Sequence, residues 1–172
     1  MSTTRKTPRG RSLPSRRDKG VAREAIARYL HSLDEAREHG DQSGLRPMWH
    51  QPRPDQWTIG VVGSARQTIN VELSLGEYTL QLMSFFMRAP DENVSDVHRL
   101  LLRRDLEVPA VKFGIDEFGD IYLRADLPVC GVTETELDRV VGVFYSCSDG
   151  NYLPVMRLGF AGALKEQARR GA

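Results

Sequence analysis

Three acids crowd one short stretch of this sequence, Asp116, Glu117 and Asp120, with Phe118 and Gly119 between them. Carboxylates this close could hold calcium, but the ligand spacing of an EF-hand loop is absent. A hairpin turn with its acids in solvent is the better reading. Ser95 and His98 stand three apart, as on one helix face, yet no nucleophile elbow accompanies them. Cys130 and Cys147 form no CxxC pair, and His31, His39, His50 and His98 do not cluster with them. The close set of ligands that structural zinc requires is therefore missing, and both cysteines read as reduced thiols. Gly60-Val61-Val62-Gly63-Ser64-Ala65 loosely resembles a phosphate-gripping loop. No helix follows it to offer an anion its N-terminus, so a plain turn is expected. No catalytic set of nucleophile, base and orienting group emerges. The expectation is a protein that is not an enzyme and needs no cofactor.

Two features point to binding instead. Phe85, Phe86 and Met87 follow one another at the end of an alternating apolar run. Neighbours on a strand face opposite sides, so one of the two aromatics leaves the main core unless a helix or partner covers that side; core or loop packing is the first reading of the trio, and a partner-binding surface the second. The second feature is charge. Residues 1–19 hold Arg5, Lys6, Arg9, Arg11, Arg16, Arg17 and Lys19 against one acid, Asp18. The formal net charge of +1 thus hides a basic arm on an acidic body. That arm has almost no apolar residue to anchor it and is expected to be disordered. Neutralising about six phosphates would make it a salt-sensitive nucleic-acid contact, although no aromatics are interleaved for stacking.

The elements that must carry these residues follow from periodicity. The 172 residues fit one domain, expected over 20–172 behind the 1–19 tail. No run is long and apolar enough for a membrane helix. The basic N-terminus lacks the apolar stretch of a secretory signal, so cytoplasm is the expected location. Ala22, Ile26, Tyr29, Leu30 and Leu33 recur at helical spacing from Gly20, and Gly40 reads as the stop. Residues 41–55, with Pro47, Pro52 and Pro54, read as an irregular connection pinned by Trp49 and Trp57.

Period two then appears in three successive runs, at Trp57-Ile59-Val61, Ile69-Val71-Leu73-Leu75 and Tyr78-Leu80-Leu82. A helix capped by Asp91 follows, with Val94, Val97, Leu100 and Leu101 inward. Next comes a hairpin of Val111-Phe113-Ile115 and Ile121-Leu123-Ala125, with Gly119 at a positive φ. Thr133-Glu134-Thr135-Glu136 is a capping box opening a helix through Leu137, Val140, Val141 and Phe144. Ser148-Asp149-Gly150-Asn151 should break it, leaving Pro154 in the first turn of a last helix. The expected fold is α+β, a five-stranded antiparallel sheet in the order α-β-β-β-α-β-β-α-α.

This order, together with Ser84-Phe85-Phe86-Met87-Arg88-Ala89-Pro90, Leu100-Leu101-Leu102-Arg103-Arg104, Val111 to Arg124 and Asp126-Leu127-Pro128, resembles the YbjN family of bacterial proteins over about residues 20–160. That family shares the fold of type III secretion chaperones and has been described as sensory transduction regulators. The resemblance implies a dimer that binds segments of other proteins. It also implies an asparagine after the Leu-Arg run, where this chain has Asp105.

Overall fold

The computed structural model describes residues 16–39, 48–66 and 68–164. Helix α1 (Arg16–His39) precedes β1 (Met48–Arg53), β2 (Gln56–Val61), β3 (Ile69–Leu75) and β4 (Thr79–Met87). Helix α2 (Val94–Glu107), the hairpin β5 (Lys112–Ile115) and β6 (Ile121–Pro128), a 3₁₀ turn and the long helix α3 (Glu134–Gly159) follow. The strands form one antiparallel sheet in the order β1-β2-β3-β4-β6-β5.

The α+β class and the antiparallel sheet agree with the sequence, but the sheet has six strands rather than five. The additional strand is β1, inside the stretch expected to be irregular. Pro52 argued against a strand because it cannot donate to a ladder; here it lies where the β1–β2 register shifts, on an edge strand, which is where sheets tolerate proline.

Alternation then works as read. Trp57, Ile59 and Val61, then Ile69, Val71, Leu73 and Leu75, then Leu80 and Leu82 all point to one face. On that face they meet Ala22, Ile26, Tyr29 and Leu30 of α1 and Leu137, Val140, Val141 and Phe144 of α3 in the main core. A second cluster joins Phe86, Met87 and Ile121 to Val97 and Leu101 of α2 and Val155 and Phe160 at the end of α3. All three helices therefore cover the same face.

Two helix boundaries differ from expectation. Helix α3 runs unbroken through Ser148-Asp149-Gly150-Asn151, with Pro154 inside it. A helix-interior proline leaves the carbonyl four residues back without its donor. Here Pro154 and Gly150 are both exposed, so water reaches that carbonyl. Buried Asn151 also donates to the Cys147 carbonyl instead of opening a turn. The far end of α3 is tied down as well, because the Gly159 carbonyl accepts from the amides of Asp91 and Glu92. Thr133 caps α3 as the motif requires, accepting from Glu136 N at 3.2 Å, although the Glu136 carboxylate turns to Arg139 rather than back to the cap. Asp91 does not cap α2; it grips Arg88 with both oxygens, and Asn93, at φ 52°, occupies the cap position.

Helix α1 starts at Arg16, four residues before the expected Gly20, and takes Lys19 into the body. Lys19 and Arg23 both pair with Asp55 in the β1–β2 turn. The Arg23 hydrogen bond chiefly, assisted by Lys19, holds the Asp55 carboxyl at about 2. A carboxyl depressed in the folded state stabilises fully above its ordinary range and stops doing so as pH falls through the folded value. Thermal melts between pH 5 and 2 should therefore show a steeper stability loss below about pH 4 in the wild type than in Asp55→Asn. Equal slopes in the two proteins would refute the assignment.

Candidate functional site

Strand β4 carries the aromatic trio to the end of the sheet, and the structure divides it. Pairing with β6 runs Ser84↔Leu123, Phe85↔Tyr122 and then Met87↔Ile121, a bulge that consumes one extra residue. Phe86 and Met87 consequently both turn inward, at 1% and 5% exposure. Phe86 meets Phe113 edge to face at 5.3 Å. Phe85 alone points out, 44% exposed, with its ring edge-on to Tyr122 at 5.4 Å.

The face on which that pair lies is the one the helices leave bare. Register across the strands lines up Thr58, Glu72, Met83, Arg124 and Lys112 in one row. Phe85, Tyr122 and Gly114 lie in the next. The result is a mostly polar, pleated surface with an aromatic pair and a methionine near its middle.

Beside Phe85 the sheet splits. The β3–β4 ladder ends at Glu72↔Met83, whereas β4–β6 continues to Met87↔Ile121. The loop after β2 turns into this gap. Gly63 N–H donates to the Arg66 carbonyl, and the amides of Ala65 and Arg66 donate to Asp149 Oδ1 at 2.7 and 3.1 Å. The glycine loop does surround an anion, but the anion is this chain's own carboxylate. Burial opposes ionisation of Asp149, and the bonds from Ala65, Arg66 and Ser64 outweigh it, holding its pKa below the usual range.

Arg66 reaches across the gap. Its Nη1 donates to Ser148 Oγ and its Nη2 to the Phe85 carbonyl, and the guanidinium lies 5.9 Å from the Phe86 ring centre. Arg88 stacks on Phe160 at 4.8 Å. With Tyr152 and Met156 these residues line a groove of about 670 Å³. Sequence reasoning missed Arg66, which stands alone in a turn with no pattern to mark it.

The remaining candidates resolve differently. Asp116 accepts from the amides of Phe118 and Asp120, and Asp120 accepts from Ala89 N, so these acids hold the turn together. Gly119 has φ 85° as expected. No cluster of three or more metal-ligating side chains occurs among the described residues. Ser95 is exposed on α2, while His98 Nε2 is shielded from solvent without a hydrogen-bond partner. The Cys147 thiol is buried, which pushes its pKa up, and Cys130 is exposed. Asp105 accepts from Phe113 N at 3.0 Å, a bond that an asparagine oxygen could equally receive.

Of the basic residues read as a nucleic-acid contact, Arg5, Lys6, Arg9 and Arg11 lie outside the described residues, and Arg16 and Arg17 open α1. Lys19 is committed to Asp55 and Glu77 and is no longer part of a free arm. No described helix is long and apolar enough to cross a membrane.

Residues 22–153 match the family model of YbjN, "Putative bacterial sensory transduction regulator". The chain belongs to the YbjN family. Among curated proteins it is 33% identical over 114 residues to uncharacterized protein Rv0487 of Mycobacterium tuberculosis and to uncharacterized protein Mb0497 of Mycobacterium bovis, covering 66% of this chain and 62% of each relative. It is 32% identical over 109 residues to uncharacterized protein ML2442 of Mycobacterium leprae, covering 63% of this chain and 59% of that one. The chain thus spans less than two thirds of the length of the relatives it matches. A solved chain from "Structure of the HopA1-SchA Chaperone-Effector Complex" aligns with 77% of this chain and 96% of its own length, at 14% identity and a TM-score of 0.44. That likeness is too loose to carry an argument about function.

Proposed function

We propose that this YbjN protein is a non-enzymatic interaction module, a chaperone-like or regulatory adaptor that binds a protein partner in the cytoplasm and acts as a homodimer. The supporting observation is the one-sided fold. Helices α1, α2 and α3 cover one face of a six-stranded sheet, and the other face carries exposed Phe85 edge-on to half-buried Tyr122, with no described helix packed over them. Exposed aromatics set in a polar surround are the usual anchors of protein interfaces. A nucleic-acid role through the tail draws no support from the described residues, since Lys19 already has acidic partners.

Two measurements test this reading. Size-exclusion chromatography with light scattering should give a dimer at tens of micromolar. In-cell crosslinking should give one reproducible set of partners for the wild-type chain, reduced at least about tenfold for the Phe85→Ser/Tyr122→Ser variant, the loss expected when a hot spot worth about 2 kcal/mol is removed. A monomer whose crosslinks are unchanged by the double variant would sink the proposal.

A further inference from the structure

The groove at the sheet split differs from the rest of the surface, because among the described residues it holds a cation with no counter-ion. Arg66 is half-buried, and among the described residues both of its side-chain bonds go to neutral acceptors, Ser148 Oγ and the Phe85 carbonyl. A guanidinium has five N–H donors, so most of its capacity is unused. The other clefted or partly shielded cations are served: Arg88 by Asp91, Arg23 and Lys19 by Asp55. Taking a charge out of water without a partner is costly, and burial correspondingly lowers the Arg66 pKa. The cost is relieved when a carboxylate arrives, and Arg with carboxylate forms the strongest paired hydrogen bonds available to side chains.

The walls add a second requirement. Phe85, Tyr152 and Met156 present apolar surface beside the guanidinium. Beyond Met83 the ladder pairs β4 only on its β6 side, and on the other side Arg66 already holds the Phe85 carbonyl. A segment of polypeptide brings a carboxylate and an apolar side chain together, and a small free anion brings only the charge.

We propose that this groove receives an extended segment of a protein partner that presents an Asp or Glu carboxylate to Arg66 and an adjacent apolar side chain to Phe85 and Met156. The inference rests on the adaptor reading above; the groove shares Phe85 with the open sheet face but not Tyr122, so a variant at Tyr122 alone tells the two apart.

The test uses the full chain and fluorescein-labelled heptapeptides blocked at both ends. A central Asp or Glu is flanked by Leu, Phe or Val, and each peptide is matched by its Asn or Gln counterpart. In fluorescence polarisation the acid member of a pair should bind at least tenfold tighter. Arg66→Gln should erase that difference, and Arg66→Lys, which keeps the charge, should retain part of it. Circular dichroism shows whether each variant is folded. Amide shifts in NMR should cluster at residues 64–66, 85–88 and 152–160. The proposal is overturned by equal binding of acid and amide peptides, by a preference that survives in folded Arg66→Gln, or by no binding at all. Shifts confined to the open sheet face, or shifts that grow with protein concentration alone and so report a second copy in the groove, overturn it equally. Each of these results leaves a crosslinking comparison of Tyr122→Ser alone, outside the groove, to decide the adaptor reading.

Discussion

Phe86→Ala should destabilise this protein by about 3–5 kcal/mol, while Phe85→Ala, one residue away, should cost about 1 kcal/mol or less. The first removes a fully buried ring from the second cluster and leaves a cavity among Phe113, Val97 and Val155. The second removes only an edge-on contact with Tyr122 on an open face. Urea denaturation of both variants checks the contrast. Partner crosslinking should show the reverse order of effect once folded protein is compared, with Phe85→Ala the more damaging. Similar stability losses for the two would mean that the bulge does not separate core from surface as described.

Asp149→Ala should cost about 2–3 kcal/mol at neutral pH, the scale of several hydrogen bonds to an ionised group. It leaves the amides of Ala65 and Arg66 without their acceptor and frees the loop that aims Arg66 into the groove. Asp149→Asn keeps an acceptor oxygen and loses the charge, so its cost should be smaller. The pH dependence has a defined sign. The Asp149 pKa is depressed in the folded state, so its stabilisation is present above the ordinary carboxylate range and disappears as pH falls below about 4. Wild type and Asp149→Asn should therefore converge in urea midpoint between pH 7 and pH 3; parallel curves would refute the carboxylate's role. Gly63→Ala should damage the same turn sterically. A Cβ there would lie 2.4 Å from the Arg66 carbonyl oxygen and 2.5 Å from Asp149 Oδ1.

Much of the sheet was legible because one-face burial writes itself into a chain at period two. Ile69, Val71, Leu73 and Leu75 could not be read otherwise, and all four are core. The inner stripe of α1 and the Thr133 cap were legible for the same local reasons. What escaped was decided by partners distant in sequence. Strand β1 is polar and proline-bearing, and it exists because β2 offers it a ladder. Helix α3 continues past four turn-forming residues because Cys147, Val155 and Gly159 are buried on either side of them, and because Pro90 and Val97 close on Gly159.

The candidate site was half legible. The aromatic trio marked the strand end beside the candidate groove, and adjacency placed one aromatic outside the core. The bulge that sends Met87 inward with Phe86, and the Arg66 that fills the split, depend on the β4–β6 register and on Asp149, some eighty residues from the loop it anchors. Neither leaves a local trace.

The two outermost strands bear on how copies of this molecule can associate. β1 carries Pro52 within a register shift, and β5 is four residues long with its Phe113 amide already held by Asp105. Unprotected edges let sheets join side by side into open-ended fibres, and both margins here are blunted against it. Head-to-tail growth through the margins is thereby disfavoured. For the homodimer proposed above, the flat of the sheet offers a surface of the other kind, on which a patch meeting its own copy would close on a twofold axis and stop at two.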